Sequence, residues 1–154
     1  MPADWKYAAI TGAGRFARTE VGQVYEVEGR DTVTAAAELV RLSLNMAETH
    51  VDAGVSAHGR RLVYGGHTIS VAAAQLTRAF PEVVSIIAWR ECNHTAPVFE
   101  GDVLSTVLSI EARHALTDAS GAGLLDVRAL VTASREGAQE GQPVLDWRLL
   151  ALLP

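Results

Sequence analysis

The chain has 154 residues, nearly half of them hydrophobic, which is the size of one domain and enough for a single buried core. The 13 lysines and arginines against 18 aspartates and glutamates make the protein mildly acidic, and the absence of a basic stripe argues against a nucleic-acid partner. A lone Cys92 excludes an intramolecular disulfide and, with no apolar run of 18 residues and no signal pattern, predicts a cytoplasmic protein without a membrane partner.

The first part of the chain predicts short elements. Residues 1–20 are expected to be a lead-in segment, and the valines and tyrosine within residues 23–33 predict a strand. Residues 35–47, with Thr34 as N-cap, predict a helix. Its core-facing stripe is expected to consist of Leu39, Leu42 and Met46. Residues 51–61, with two glycines and two adjacent arginines, predict a mobile surface loop.

The second part of the chain predicts one long helix followed by strands. Residues 66–80 keep apolar side chains at helical spacing, and Pro81 ends the pattern. Four segments with alternating or continuous apolar residues follow, at 83–94, 103–112, 124–134 and 144–152. One strand, a long helix and four antiparallel strands indicate an α+β domain over residues 1–154, in which the sheet curls around the helix.

A polar group precedes the long helix. Asn45 and His50 lie five residues apart, and Gly65 and Gly66 stand where the helix begins. An imidazole, an amide and backbone N–H donors are the groups needed to polarise a carbonyl and move a proton beside it. The same residues also fit structural roles, His50 as a cap on the last carbonyls of a helix and the two glycines as a turn.

The element order resembles the hot-dog fold, in which a curved antiparallel sheet wraps one long helix. Residues 44–52 resemble MaoC-type dehydratases and (R)-specific enoyl-CoA hydratases, whose pattern is Asp-x-Asn-Pro-x-His. Residues 62–68 (Leu-Val-Tyr-Gly-Gly-His-Thr) stand where that family has the glycine-rich start of its central helix, and residues 97–104 resemble its next turn. The Tyr-Gly-Gly-His variant is most similar to the mesaconyl-CoA hydratase branch, which handles branched or dicarboxylic acyl-CoA thioesters.

The resemblance implies roles for individual residues. His50 falls on the catalytic histidine, Asn45 on the catalytic aspartate, and Gly66 on the glycine whose N–H binds the thioester carbonyl oxygen. The chain departs from the pattern at Asn45, which has an amide in place of the carboxyl group. Ala47 and Glu48 also replace the usual Asn-Pro pair.

Further residues are candidates for substrate binding. Gly65, His67 and Ser70 lie next to Gly66 or one helical turn beyond it. Arg60 and Arg61 are candidates for binding the coenzyme A phosphates, although surface solubilisation is the more usual role of such residues. No spacing of His, Cys and acidic residues is typical of a metal site. No cofactor is therefore expected other than coenzyme A as part of the substrate.

These residues predict an acyl-CoA hydratase or dehydratase that adds or removes water at an enoyl thioester. Since an amide cannot exchange the proton as a carboxyl group does, three outcomes are open. His50 works alone, Glu48 or Asp52 substitutes for the aspartate, or the hydratase chemistry is lost. The alternatives are a hot-dog thioesterase and a non-catalytic acyl-CoA-binding or partner subunit. Because a single hot-dog unit leaves sheet edges unpaired, a homodimer or higher homo-oligomer, or a second hot-dog chain as partner, is expected.

Overall fold

The computed structural model describes residues 6, 10, 14–116, 121–135, 137 and 140–154. Within them the helices are α1 (Arg15–Arg18), α2 (Ala36–Leu42) and α3 (Gly65–Ala79), with a 3₁₀ turn at Glu48–His50. The strands are β1 (Val24–Glu26), β2 (Asp31–Thr32), β3 (Ser85–His94), β4 (Val103–Ala115), β5 (Gly123–Ser134) and β6 (Gln142–Leu153). All pairings in this sheet are antiparallel, in the order β1-β4-β5-β6-β3, and β2 also pairs with β4. No helix among these residues is long and apolar enough to cross a membrane.

Helix α3 is the central helix, as predicted, with its start and end one residue earlier than expected. It packs its apolar face on the sheet, where Ala72, Leu76 and the following Phe80 have at most 1% of their surface exposed. Pro81 follows directly because proline lacks an N–H to continue the helix. Because α3 is anchored on the sheet by these buried residues, its first turn also has a fixed position relative to the sheet.

The sheet presents its predicted apolar face to α3. The inward residues of β4 and β5 alternate along each strand, because successive side chains point to opposite faces. They are Leu104, Thr106, Leu108 and Ile110 in β4, and Leu125, Val127, Ala129, Val131 and Ala133 in β5. Trp147 of β6 is buried in the same core. Together with α3 this arrangement confirms the α+β architecture of a sheet around one helix.

A buried glutamine, Gln75, ties α3 to the strands at the β2 side of the sheet. Its Nε2 donates to Asp31 Oδ2 at 2.7 Å and to the Leu104 carbonyl at 3.0 Å. Arg78, one turn on, donates to both carboxylate oxygens of Asp31 at 2.6 and 2.7 Å. The hydrogen bond from Arg78, which outweighs the desolvation of the carboxyl, lowers the pKa of Asp31.

The helix predicted over residues 35–47 is wrong in length and in its buried face. Helix α2 ends at Leu42, and Leu44 has a left-handed backbone, with φ of 56°. The N-cap is Ala35, also left-handed, rather than Thr34. With only seven residues the helix buries Ala36 and Val40. Leu42 and Met46 are exposed, so the expected core-facing stripe does not exist.

Part of the predicted lead-in segment packs on the sheet. Phe16 in α1 is buried, its N–H donates to the Pro154 carbonyl at 3.0 Å, and Arg113 lies 4.6 Å above its ring. A Cβ built on Gly123 would lie 2.3 Å from the Phe16 ring, so β5 begins with the one residue type that leaves room for it. Residues 51–61 form successive turns on the surface, and their mobility stays a prediction.

Candidate active site

A cavity of about 420 Å³ lies at the N-terminal end of α3. It is lined by His50, His58, Leu62, Val63, Gly65, Thr68 and residues 94–98. The segments that line it are connected by their backbones. Val63 N–H donates to the Val98 carbonyl at 2.9 Å, and Leu62 pairs with Phe99 in an isolated bridge. The loop before α3 and the segment after β3 therefore form one unit around the cavity.

His50 is held in one tautomer at the edge of this cavity. Its Nδ1 lies 2.7 Å from the Leu62 carbonyl oxygen. Because a carbonyl oxygen only accepts, Nδ1 donates this hydrogen bond, and in the neutral imidazole Nε2 is the nitrogen with a free lone pair. Leu62 N–H donates in turn to the Thr49 carbonyl at 3.0 Å, and the Tyr64 ring centre lies 5.9 Å from that of His50. The imidazole is thus oriented as a base would need to be.

The two glycines at the start of α3 face different neighbours. Gly65 lines the cavity, and a Cβ added there would lie 2.6 Å from Nε2 of His94. On Gly66 a Cβ would lie 2.5 Å from the Tyr64 ring. As in any helix, the first N–H groups have no intrahelical acceptor, and in the described residues neither glycine N–H has a protein partner. These N–H groups and the helix dipole favour a partly negative oxygen at this end of α3.

His94 and His58 also line the cavity. His94 is the last residue of β3 and is exposed on the side that faces the cavity. Partial burial of its ring lowers its pKa. The His58 ring stands edge-on to Phe99, with centroids 5.5 Å apart. In the part of the chain that the structure describes, no three His, Cys, Asp or Glu side chains form a metal-binding group.

The structure does not bring Asn45 to this cavity. Its Oδ1 accepts the Ala47 N–H at 3.0 Å, and its side chain lines a separate cavity with Met46, Glu48 and Val51. The left-handed residue Leu44 redirects the chain just before Asn45. Five residues of separation from His50 therefore do not place the amide beside the imidazole.

His67 and Ser70 line a third cavity, between α2 and α3. The Ser70 hydroxyl donates to the Gly66 carbonyl at 2.7 Å, so it is used within the helix. His67 has a buried Nδ1 without a partner in the described residues, and burial lowers its pKa. Both candidates are on the first turns of α3 but face away from the His50 cavity.

The two arginines of the 51–61 loop differ in their surroundings. Arg61 forms an ion pair with Glu100 at 2.8 Å. The Arg60 guanidinium lies 4.5 Å above the Phe99 ring, and its Nη2 is 3.4 Å from the Glu100 carbonyl oxygen. Arg60 has no carboxylate partner among the described residues and is therefore the better placed of the two to meet an anion.

Sequence reasoning missed the buried ion pair that supports the cavity. Asp102 has 1% of its surface exposed, and Arg135 Nε lies 2.9 and 3.0 Å from its two carboxylate oxygens. Phe99 N–H donates to Asp102 at 2.9 Å, and Arg135 also donates to the Pro97 carbonyl. The signal was available, since an acid just before β4 and a base just after β5 are cross-strand neighbours in an antiparallel hairpin.

No family model matches the chain. Among curated proteins it is 31% identical to the beta-methylmalyl-CoA dehydratase of Chloroflexus aurantiacus, over 88% of this chain and 43% of the relative. It is 32% identical to the mesaconyl-CoA hydratase of Cereibacter sphaeroides, over 74% of this chain and 36% of the relative. The chain thus spans less than half the length of these curated relatives.

Solved structures give the same result for the fold. A conserved hypothetical protein of Mycobacterium tuberculosis, described as having a double hotdog fold, matches with 49% identity and a TM-score of 0.77, over 86% of this chain and 38% of that one. A putative MaoC domain protein dehydratase from Chloroflexus aurantiacus matches all of this chain and 48% of its own, with 27% identity and a TM-score of 0.83.

The chain therefore has the hot-dog fold, which confirms the fold predicted from the sequence. In sequence and in structure it resembles the MaoC-like dehydratases and hydratases, including a mesaconyl-CoA hydratase, as residues 44–52 and 62–68 predicted.

Proposed function

We propose that the chain carries the reaction site of an acyl-CoA hydratase or dehydratase. The observation that carries the proposal is His50, whose Nδ1 is tied to the Leu62 carbonyl while the ring lines a cavity at the N-terminus of α3. A fixed base next to free backbone N–H donors is the arrangement that hydration of an enoyl thioester needs. The curated relatives, named as a CoA dehydratase and a CoA hydratase, support this reaction class.

In the hydration direction, His50 Nε2 takes a proton from water as the water oxygen bonds to the β-carbon. The electron pair of the double bond moves to the α-carbon and onto the thioester oxygen. The imidazolium Nε2–H then returns its proton to the α-carbon, which completes the addition of one water. The same steps in reverse remove water. No other proton donor or cofactor is needed.

This scheme assigns no proton transfer to Asn45, whose side chain lines another cavity. It also leaves out Glu48 and Asp52. Glu48 lines the Asn45 cavity, and Asp52 accepts the Gly54 N–H at 2.7 Å. A thioesterase would need one of these carboxylates to activate water at the thioester carbon, so the geometry favours hydration over hydrolysis. Of the three outcomes, we propose that His50 works alone.

For the substrate we propose a branched or dicarboxylic enoyl-CoA, on the strength of the two curated relatives' names. The coenzyme A phosphates would meet Arg60, which stacks on Phe99 and has no carboxylate partner among the described residues. Arg61, already paired with Glu100, would contribute less.

The test is turnover of mesaconyl-CoA and crotonyl-CoA, followed by loss of the enoyl absorbance. His50→Gln should lower kcat about 10²–10⁴-fold, because a placed acid–base group contributes that much. His114→Gln is the matched control, since His114 pairs with Asp126 on the outer face of the sheet. Full activity in His50→Gln would overturn the mechanism. Release of free thiol without hydration would identify a thioesterase, and binding without any turnover a non-catalytic subunit.

We further propose that two hot-dog units assemble along β3. This strand pairs only with β6 in the described residues, so its other edge has unpaired backbone groups. The M. tuberculosis protein, whose structure is described as a double hotdog fold, supports a two-unit arrangement. The second unit would be a copy of this chain or another hot-dog domain.

A further inference from the structure

His94 reaches the His50 cavity from a different part of the fold. His50 stands on the 3₁₀ turn, whereas His94 is the last residue of β3 and pairs with Leu145 of β6. The next residue, Thr95, is also fixed, because its N–H donates to the Val144 carbonyl at 3.0 Å. The backbone that carries His94 is therefore held by the sheet, independently of the loop that carries His50.

The His94 ring lies edge-on against the first residue of α3. A Cβ built on Gly65 would lie 2.6 Å from Nε2, 2.9 Å from Cε1 and 3.3 Å from Cδ2. Because Nε2 is the nearest atom, this edge of the ring faces the start of the helix. Any side chain at position 65 would displace the imidazole, so the glycine and the histidine fit each other.

Neither ring nitrogen of His94 has a hydrogen-bond partner within the described residues. The contrast with His50 is direct, since Nδ1 of His50 is taken by the Leu62 carbonyl. The Gly65 and Gly66 N–H groups at the same end of α3 also lack partners in that part of the chain. A free ring nitrogen from the sheet and the Gly65 N–H from the helix are thus available at one end of one cavity, with the Gly66 N–H next along the first turn.

We propose that His94 donates a hydrogen bond from Nε2–H to the thioester carbonyl oxygen, beside the N–H groups of the first turn of α3. The proposal rests on the hydratase function proposed above and divides the reaction between two histidines. His50 moves the proton. His94 keeps its own proton throughout and stabilises the negative charge that reaches the thioester oxygen when water bonds to the β-carbon.

The protonation of His94 suits a donor of this kind. Its desolvation lowers its pKa, and the positive end of the α3 dipole acts in the same direction. A lowered pKa favours the neutral ring, which has one N–H. A neutral donor next to a helix N-terminus needs no proton exchange with water during the reaction, which separates its role from that of His50.

Kinetics of two substitutions test the proposal. His94→Phe removes the donor and should lower kcat on the enoyl-CoA substrate about 10²–10³-fold, with a smaller change in KM. His94→Gln retains an N–H donor and should keep part of the activity, with an unchanged shape of the pH–rate profile. His114→Gln again serves as control. Activity of His94→Phe within about twofold of the parent would overturn the proposal. The proposal would also be overturned if His94→Gln were as inactive as His94→Phe and its pH–rate profile had lost one limb. That combination would assign His94 to proton transfer.

A second readout does not depend on turnover. Butyryl-CoA labelled with ¹³C at the thioester carbonyl has no double bond to hydrate, and its carbonyl stretch reports polarisation by infrared difference spectroscopy. The parent protein should lower this frequency, and His94→Phe should bind the ligand without lowering it. If the parent turns over no enoyl-CoA but still polarises the carbonyl, the hydratase function fails and the His94 assignment stands. Equal frequencies in both proteins, or no binding of butyryl-CoA to the parent, would overturn the assignment.

Discussion

Gly65 and Gly66 are neighbours in the first turn of α3, but an added methyl group would meet different residues. On Gly65 it would meet His94 of the proposed site, and on Gly66 it would meet the Tyr64 ring. The added Cβ of Gly65→Ala would lie 2.6 Å from His94 Nε2, so the ring must move away from the helix. Alanine also loses less conformational entropy on folding than glycine, by about 0.4–1 kcal/mol, which offsets part of the cost in stability. We therefore expect kcat to fall about 10²-fold while the free energy of unfolding changes little.

Turnover and urea unfolding of Gly65→Ala, measured side by side, check this expectation. Thr77→Ala is the matched control, because Thr77 is an exposed residue of the same helix whose hydroxyl donates to the Ala74 carbonyl, away from the His50 cavity. Parent-like turnover in Gly65→Ala would show that the position of His94 is irrelevant to the reaction. A collapse of stability would show that the contact is structural.

The residues of the candidate site were only partly predictable from the sequence. His50 and the two glycines stand out because their types and spacing suit one chemistry. The position of Asn45 depends on the left-handed backbone of Leu44, and leucine is not a residue from which φ above zero is expected. His94 lies 44 positions from His50, and only the pairing of β3 with β6 brings its ring to the same cavity.

At the scale of elements, the Asp102–Arg135 ion pair links the start of β4, the end of β5 and the cavity segment at Pro97–Phe99. Arg135→Met would leave a carboxylate with 1% exposure without its charge partner. Breaking a buried pair costs about 3–5 kcal/mol, and we expect the low end because Arg135 is a quarter exposed. Guanidinium unfolding should show this loss in the free energy of unfolding.

Arg128→Met provides the comparison for Arg135→Met. Arg128 pairs with Asp146, which is more open to solvent and has Arg148 at 4.0 Å as a second cation. Arg128→Met should therefore cost less, about 1 kcal/mol, because this pair is only partly buried and Asp146 keeps Arg148 nearby, so the two variants should differ by about 2 kcal/mol. Equal losses would mean that the Asp102 pair is no more important than the surface pairs.

Elements with long, regular patterns were predictable, and the short ones were not. Helix α3 and strands β3 to β6 each run for ten residues or more, so the apolar period repeats enough times to be read. Helix α2 has only seven residues, and tertiary contacts of Ala36 and Val40 decide which face it buries. The sequence shows Gln75 only as a polar residue within an apolar helix. Its burial depends on hydrogen bonds to Asp31 and Leu104, which are distant in sequence and therefore not part of the helical pattern.

At the scale of the whole molecule, the charged and the apolar side chains of the sheet lie on opposite faces. The outer face has cross-strand ion pairs, Arg90 with Asp126, Arg128 with Asp146, and Arg148 with Glu91 and Glu111. These keep the middle of that face solvated. On β3, however, Trp89 is 57% exposed although its ring meets the buried Trp147 at 5.4 Å. An exposed tryptophan on an edge strand, which has partners on one side only, is the kind of residue that anchors an interface.

The proposed assembly along β3 therefore predicts that Trp89→Glu separates the units. The parent should sediment as a dimer of 16.4 kDa chains at micromolar concentration. A buried interface tryptophan is typically worth about 2 kcal/mol or more, so its replacement should raise the dimer dissociation constant at least about 30-fold. Val21→Glu is the matched control, because Val21 is 58% exposed but lies outside β3. A parent that sediments as a monomer, or equal dissociation in both variants, would contradict the assembly of two copies of this chain through this strand. If the parent is a dimer, and Trp89→Glu loses turnover while Val21→Glu keeps it, the reaction needs both units.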